Sequence, residues 1–92
     1  MDDIFIKYEY GDFCTVDLHG KSINDAQVEL NHVINSVDVN YQYVLVVHGY
    51  NSGTSLKNYV RNQFKHNLVT EKINIDAGRT LLRLKERWKS KN

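Results

Sequence analysis

Apolar positions along the chain follow two periods, alternation and helical spacing, and the order in which they switch predicts most of the elements. Ile4, Ile6, Tyr8 and Tyr10 alternate with Phe5, Lys7 and Glu9, which predicts a strand. Gly11-Asp12 supplies a turn, and a second strand is expected at once over Phe13 to Leu18, so residues 1–13 read as an amino-terminal edge strand and turn in a hairpin. Ser22 with Asp25 three residues on has the form of a capping box, and Ile23, Ala26, Leu30, Val33, Ile34 and Val37 follow at helical spacing. Tyr43 to Val47 is nearly continuous and β-branched, as a strand covered on both faces would be. Leu56, Tyr59, Val60 and Phe64 make the inward stripe of a second helix ending near His66-Asn67. Leu68 to Ile75 and Thr80 to Leu84 read as two closing strands joined through Asp76-Ala77-Gly78-Arg79.

Strand, helix, strand order implies a parallel crossover, and the final hairpin makes the sheet mixed. The expected fold is α/β: a two-layer sandwich of βαβαββ order over residues 14–86, two helices on one sheet, with the extra edge strand before it and a frayed tail at 87–92. Two strands end alike. Thr15 to Gly20 reads TVDLHG and Val44 to Gly49 reads VLVVHG, each an apolar run ending in His-Gly before a helix. Both histidines therefore fall at the edge outside the carboxyl ends of parallel strands, where α/β sheets bind ligands.

Ninety-two residues make one domain with a modest core. No apolar run is long enough to cross a bilayer, and the start Met1-Asp2-Asp3 has neither the charge nor the apolar stretch of a secretory leader, so no membrane partner is expected. The lone Cys14 forms no internal disulfide, which together with the missing leader predicts a cytoplasmic protein. The net charge of +1 conceals a segregation: residues 1–46 carry two basic against eight acidic side chains, residues 47–92 ten against three. A basic half of this kind suits a polyanionic partner.

Asp17, His19 and His48 are the candidates for chemistry. Cleaving a phosphodiester needs a base for the attacking hydroxyl, positive charge or N–H groups at the phosphate, and a proton for the leaving oxygen; a histidine steadied by an aspartate on the same side of its strand suits the first task. Gly20, Ser22, Gly49, Tyr50, Asn51, Ser52 and Gly53 line the two turns where helix N–H groups meet a phosphate. Lys57, Arg61 and Lys65 recur every four residues and, with Arg79 and Arg83, are the candidate phosphate contacts; Tyr50 is placed to stack on an unpaired base, which favours single strands. Asp17 as a helix cap, His48 as part of a turn, and the basic stripe as solubilising surface are the structural alternatives. His32 and His66 read as surface or structural. No metal ligand spacing is present, so no cofactor is expected, although Asp17, His19 and His48 leave a divalent ion geometrically open.

The signature Asp17-Leu18-His19-Gly20, the small Ala26 in the first helix, the strand ending His48-Gly49, and the closing Gly78-Arg79-Thr80-Leu81-Leu82-Arg83-Leu84 together resemble the Smr (small MutS-related) domain, over nearly all of Val16 to Lys85. The resemblance implies the same βαβαββ fold, binding to RNA or DNA, endonuclease activity carried by Asp17, His19 and His48, and partners such as the ribosome or repair proteins. The second turn departs from the family pattern: it reads His48-Gly49-Tyr50-Asn51-Ser52-Gly53, with Tyr50 where the family has a basic residue, and Leu56-Lys57 stands one residue late for a Leu-Arg pair. A non-catalytic nucleic-acid or ribosome binding module and a protein interaction domain are the competing readings.

Overall fold

A computed structural model describes residues 3–49 and 55–87. Tyr50, Asn51, Ser52 and Gly53 of the second turn, and residues 88–92 of the tail, lie outside the described residues. The elements run α1 (Asp3–Tyr10), β1 (Phe13–Asp17), α2 (Ile23–Ser36), β2 (Tyr43–Val47), α3 (Ser55–Asn58) continuing as a π-helical stretch over Tyr59–Gln63, β3 (Val69–Asp76) and β4 (Arg79–Leu84). The four strands form one mixed sheet in the order β1-β2-β4-β3, with β1 parallel to β2 and β4 antiparallel to both its neighbours. The α/β class and the mixed sheet agree with the sequence reading.

Alternation sets the two faces of that sheet. Val16, Val44, Val46, Leu82 and Leu84 point to the side covered by α2 and the α3 stretch, where they bury Ala26, Leu30 and Ile34 together with Tyr59, Val60 and Phe64. Ser22 caps α2 by accepting the Asp25 N–H at 3.1 Å, as its spacing predicted. The tail was expected to fray from residue 87, yet Arg87 is anchored: its Nη2 donates to the carbonyls of Asp38 and Tyr41 at 2.8 and 2.7 Å.

The opposite face corrects the reading of the amino terminus. Residues 3–10 are a helix, not an edge strand, so three helical elements cover the sheet and the sandwich has a third layer. Its physical cause is the surface that β2 and β4 leave on that side. Leu45 and Leu81, bordered by Phe13, Tyr43, Ile73 and Ile75, need a cover, and Ile6 with Tyr10 one helical turn on supplies it. Ile6 is fully buried, whereas Phe5 and Tyr8 stand out in solvent, so the alternation of Ile6, Tyr8 and Tyr10 was coincidental. Gly11 is the helix stop: its φ is +93° and its N–H reaches back to the Lys7 carbonyl at 2.8 Å, closing a left-handed cap where a hairpin turn was expected.

Candidate active site and nucleic-acid interface

The in-register pairing of β1 and β2, with Asp17 opposite Val47, brings both His-Gly turns to one edge of the sheet. Gly20 and Gly49 take φ values of +81° and +74°, which lets each strand leave the sheet abruptly. A side chain at Gly49 would also be tight, since a Cβ there would lie 3.2 Å from the His19 Cβ. His19 is thus seated against the second turn.

Asp17 and His19 form the pair that the sequence suggested. Oδ1 of Asp17 accepts from His19 Nδ1 at 2.7 Å and from the His19 backbone N–H at 3.1 Å. A carboxylate can only accept, so Nδ1 carries the hydrogen and the lone pair of the neutral ring is at Nε2. Both side chains are more than half exposed, at 56% for Asp17 and 70% for His19, so Nε2 is open to a ligand. The side-chain hydrogen bond from His19, opposed by modest burial and assisted by the His19 backbone N–H and the nearby Lys21 charge, holds the Asp17 carboxyl below its ordinary value.

His48 does not join them. The ladder continues one residue beyond β1, with the Leu18 N–H donating to the Val47 carbonyl at 2.7 Å, so His48 has the parity of Val46 and Val44 and points to the α2 side, while Asp17 and His19 have the parity of Thr15. The His48 ring is buried at 4% exposure and both nitrogens are occupied. Nδ1 lies 3.1 Å from the Gly49 carbonyl, which only accepts, so Nδ1 is the donor there; Nε2 then accepts from the Thr80 hydroxyl at 2.9 Å. The Thr80 oxygen in turn accepts from Arg61 Nε at 2.7 Å. Burial, offset only in part by the Gly49 carbonyl, pushes the His48 pKa down, and the Arg61 and Lys57 charges push the same way. His48, the third candidate for chemistry, therefore has both ring nitrogens engaged internally and anchors the turn.

The candidate phosphate contacts divide by what their charges already meet. Arg61 turns inward from the π-helical stretch, where five-residue hydrogen bonds such as Phe64 N–H to Tyr59 O at 2.8 Å widen the turn. Besides Thr80 it bonds the Asp76 and Arg79 carbonyls through Nη2. Its guanidinium is structural, not a free member of a basic stripe. Arg79 is paired with Asp76 at 2.8 and 3.0 Å and mostly buried. Arg83 faces Glu71 at 3.4 Å near the other end of β4, opposite Tyr43. Lys57 is half-buried on α3, and Lys65 is exposed in the loop after the π-helical stretch, off the helix on which the sequence placed it. His66 is structural, its Nδ1 accepting the Leu68 N–H at 3.0 Å and its Nε2 2.9 Å from the Asn35 side-chain oxygen. His32 is exposed on α2.

Between the two turns opens a cleft of about 260 Å³ lined by Gly20, Lys21, Ser22, Ile23, His48, Ser55 and Leu56. Gly20, Ser22 and His48 were expected there. Lys21 was missed, although a basic residue directly after the first His-Gly was a legible signal. Thr80 was noticed only as part of a strand motif, because nothing local in sequence says that its hydroxyl meets residues 32 positions earlier and 19 earlier. Among the described residues no three His, Cys, Asp or Glu side chains gather as a metal site.

Comparison with known proteins agrees with this architecture. The family model described as Smr domain matches residues 16–80. The crystal structure of the Smr domain of Thermus thermophilus MutS2 superposes with a TM-score of 0.68 at 18% identity, covering 78% of this chain and 98% of that one. At that identity the likeness speaks for the fold. No curated protein sequence matches the chain significantly.

Proposed function

Because the chain belongs to the Smr domain family, whose members bind nucleic acids and include nucleases, we propose that it is a nucleic-acid-binding endonuclease that cleaves phosphodiester bonds of RNA or DNA by Asp17–His19 acid–base chemistry. The observation that carries this reading is the 2.7 Å Asp17–His19 hydrogen bond at the open edge of the sheet, with Nε2 directed away from its aspartate partner. In the proposed reaction Nε2 takes the proton of the attacking hydroxyl, and Asp17 holds the tautomer and stabilises the imidazolium that forms. A ribose 2′-hydroxyl as nucleophile makes RNA the substrate and requires no metal; water as nucleophile makes DNA equally suitable. Lys57, beside His48, contributes positive potential at the phosphate, and the leaving oxygen takes its proton from solvent because His48 has no free N–H. From sequence alone, Tyr50, Asn51, Ser52 and Gly53 are further candidate contacts. The working compartment in this reading is the cytoplasm, with ribosomal or repair proteins as macromolecular neighbours.

The engagement of both His48 nitrogens favours a second reading, a non-catalytic module that holds nucleic acid or a ribosomal surface. One experiment separates them. Labelled single-stranded RNA, single-stranded DNA and duplex are incubated with wild type, Asp17→Ala and His19→Ala, with and without chelator, and the product ends are identified. The endonuclease reading expects cleavage by wild type that drops by roughly 10²-fold or more in either variant while binding persists. Binding without cleavage, or cleavage indifferent to both substitutions, leaves the binding module.

A further inference from the structure

The cleft between the two turns, whose lining starts at Gly20, the residue after His19, has a composition that the acid–base reading does not use. Its polar lining comes from Lys21, Ser22, Ser55 and His48, and its apolar walls are Ile23 and Leu56. His48 is neutral and spent on Gly49 and Thr80, so it brings no charge. The Ser22 hydroxyl oxygen is turned to the Asp25 N–H. No carboxylate lines the cleft, and Lys21 is its one cation among the described residues. The Lys21 ammonium has no hydrogen bond or ion pair there, in contrast to Arg61, Arg79 and Arg83, whose charges are met internally. At about 260 Å³ the cleft is smaller than the roughly 300 Å³ at which pockets for whole small molecules begin. It suits one unit of a longer ligand.

We propose that this cleft seats one internal phosphodiester and its sugar on the strand being processed, the unit next to the one at Asp17–His19, and that Lys21 is the cation that holds it. The inference rests on the nucleic-acid reading above and names a residue and subsite within it. Lys21 is suited because it stands at the joint between the two places. It lines the cleft next to Gly20, and its charge is also felt at the Asp17 carboxyl, which the His19 hydrogen bond chiefly holds down. A strand that leaves the cleft over Gly20 arrives at His19, the adjacent residue and two positions from Lys21. Ile23 and Leu56 give the sugar an apolar surface without reading a base, so the subsite is indifferent to sequence.

The test uses the full chain and fluorescein-labelled twelve-nucleotide single strands of RNA and DNA, with binding measured from low to moderate salt for wild type, Lys21→Ala, Lys21→Glu and Lys21→Arg. Circular dichroism melting establishes that each variant is folded. The expected result is weaker binding by Lys21→Ala, weaker still by Lys21→Glu to about a tenth of the wild-type affinity or less, and a slope of log K against log salt shallower by about 0.7, as for one lost phosphate contact. Lys21→Arg restores affinity and slope, which a merely structural lysine would not require. If wild type cleaves, Lys21→Ala raises KM more than it lowers kcat. Wild-type affinity and slope in Lys21→Ala and Lys21→Glu overturn the Lys21 subsite while the nucleic-acid reading stands. A wild type that binds neither strand overturns both.

Discussion

At the scale of single residues, two glycines with the same backbone conformation have different neighbours, and that difference isolates what His19 requires. Gly20→Ala and Gly49→Ala both place a Cβ at positive φ, which costs roughly 1–2 kcal/mol each. Only at Gly49 does the new carbon meet another side chain, the His19 Cβ at 3.2 Å; at Gly20 there is open space. Urea denaturation is expected to show both losses, and Gly49→Ala in addition pushes on His19, so on the proposed endonuclease reading its cleavage falls below that of Gly20→Ala at equal folded fraction. Equal activities would mean that the seat of His19 on the second turn is irrelevant. His48 supplies a pH signature. Burial depresses its pKa from the ordinary 6.5, so the folded protein resists its protonation more than the unfolded chain does. The stability this confers is full above about pH 6.5 and is lost as pH falls from there through the depressed folded value. Asp17 and Asp76, held low chiefly by hydrogen bonds from His19 and Arg79, act in a lower window, beginning only below their ordinary 3.8. Subtracting the thermal midpoints of His48→Gln from those of wild type across pH should leave a limb that declines below about 6.5, and a flat difference would contradict the neutral buried ring.

At the scale of elements, what could be read from sequence was what local residues decide. The Ser22 cap, the stripe Ala26, Leu30, Ile34 and the continuous Tyr43–Val47 strand are set by neighbours within a turn or two, and each was legible. Helix α1 was not, because its apolar positions satisfy either period and the choice is made by Leu45 and Leu81, about forty and seventy-five residues away in sequence. The π-helical widening that turns Arg61 toward Thr80 is equally a tertiary decision, since the spacing of Leu56, Tyr59, Val60 and Phe64 fits an ordinary helix. Docking of α1 can be measured through its anchor. Ile6 is fully buried against Leu45 and Leu81, so Ile6→Ala should cost about 2–4 kcal/mol in chemical denaturation, as a large-to-small change in a packed interior does. A loss of only a few tenths of a kcal/mol would mean that α1 does not hold the sheet.

At the scale of the whole molecule, the charge segregation seen along the chain persists in space, because the acidic half supplies α1, the β1 edge and α2, while the basic half supplies the α3 stretch, β4 and the β3 edge. What a count of charges cannot see is which of them are already met. Arg61 holds Thr80 and two carbonyls, Arg79 holds Asp76, and Arg83 lies near Glu71, so the five cations that sequence grouped as one surface are not equivalent. Position separates them further. Arg79 is paired with Val47 at the edge carrying the two turns, whereas Arg83 is paired with Tyr43, four residues away along the strand. That is about 13 Å at ~3.3 Å per residue, beyond the roughly 8–10 Å over which exposed charges act at moderate salt. Lys57, by contrast, is close enough for its charge to bear on His48. A single strand engaged at the turn edge should therefore depend on Lys57 and be nearly blind to Arg83. Lys57→Ala is expected to weaken oligonucleotide binding severalfold and to make its salt dependence shallower by about 0.7, and Arg83→Ala to change affinity less than twofold with the slope intact. The exposed Arg83–Glu71 pair contributes little to stability, at most about 1 kcal/mol, so the two variants can be compared at equal folded fraction. Should Arg83→Ala cost as much as Lys57→Ala, the ligand must run the length of β4 instead of crossing its end, and the site would have to be moved from the turns to the sheet.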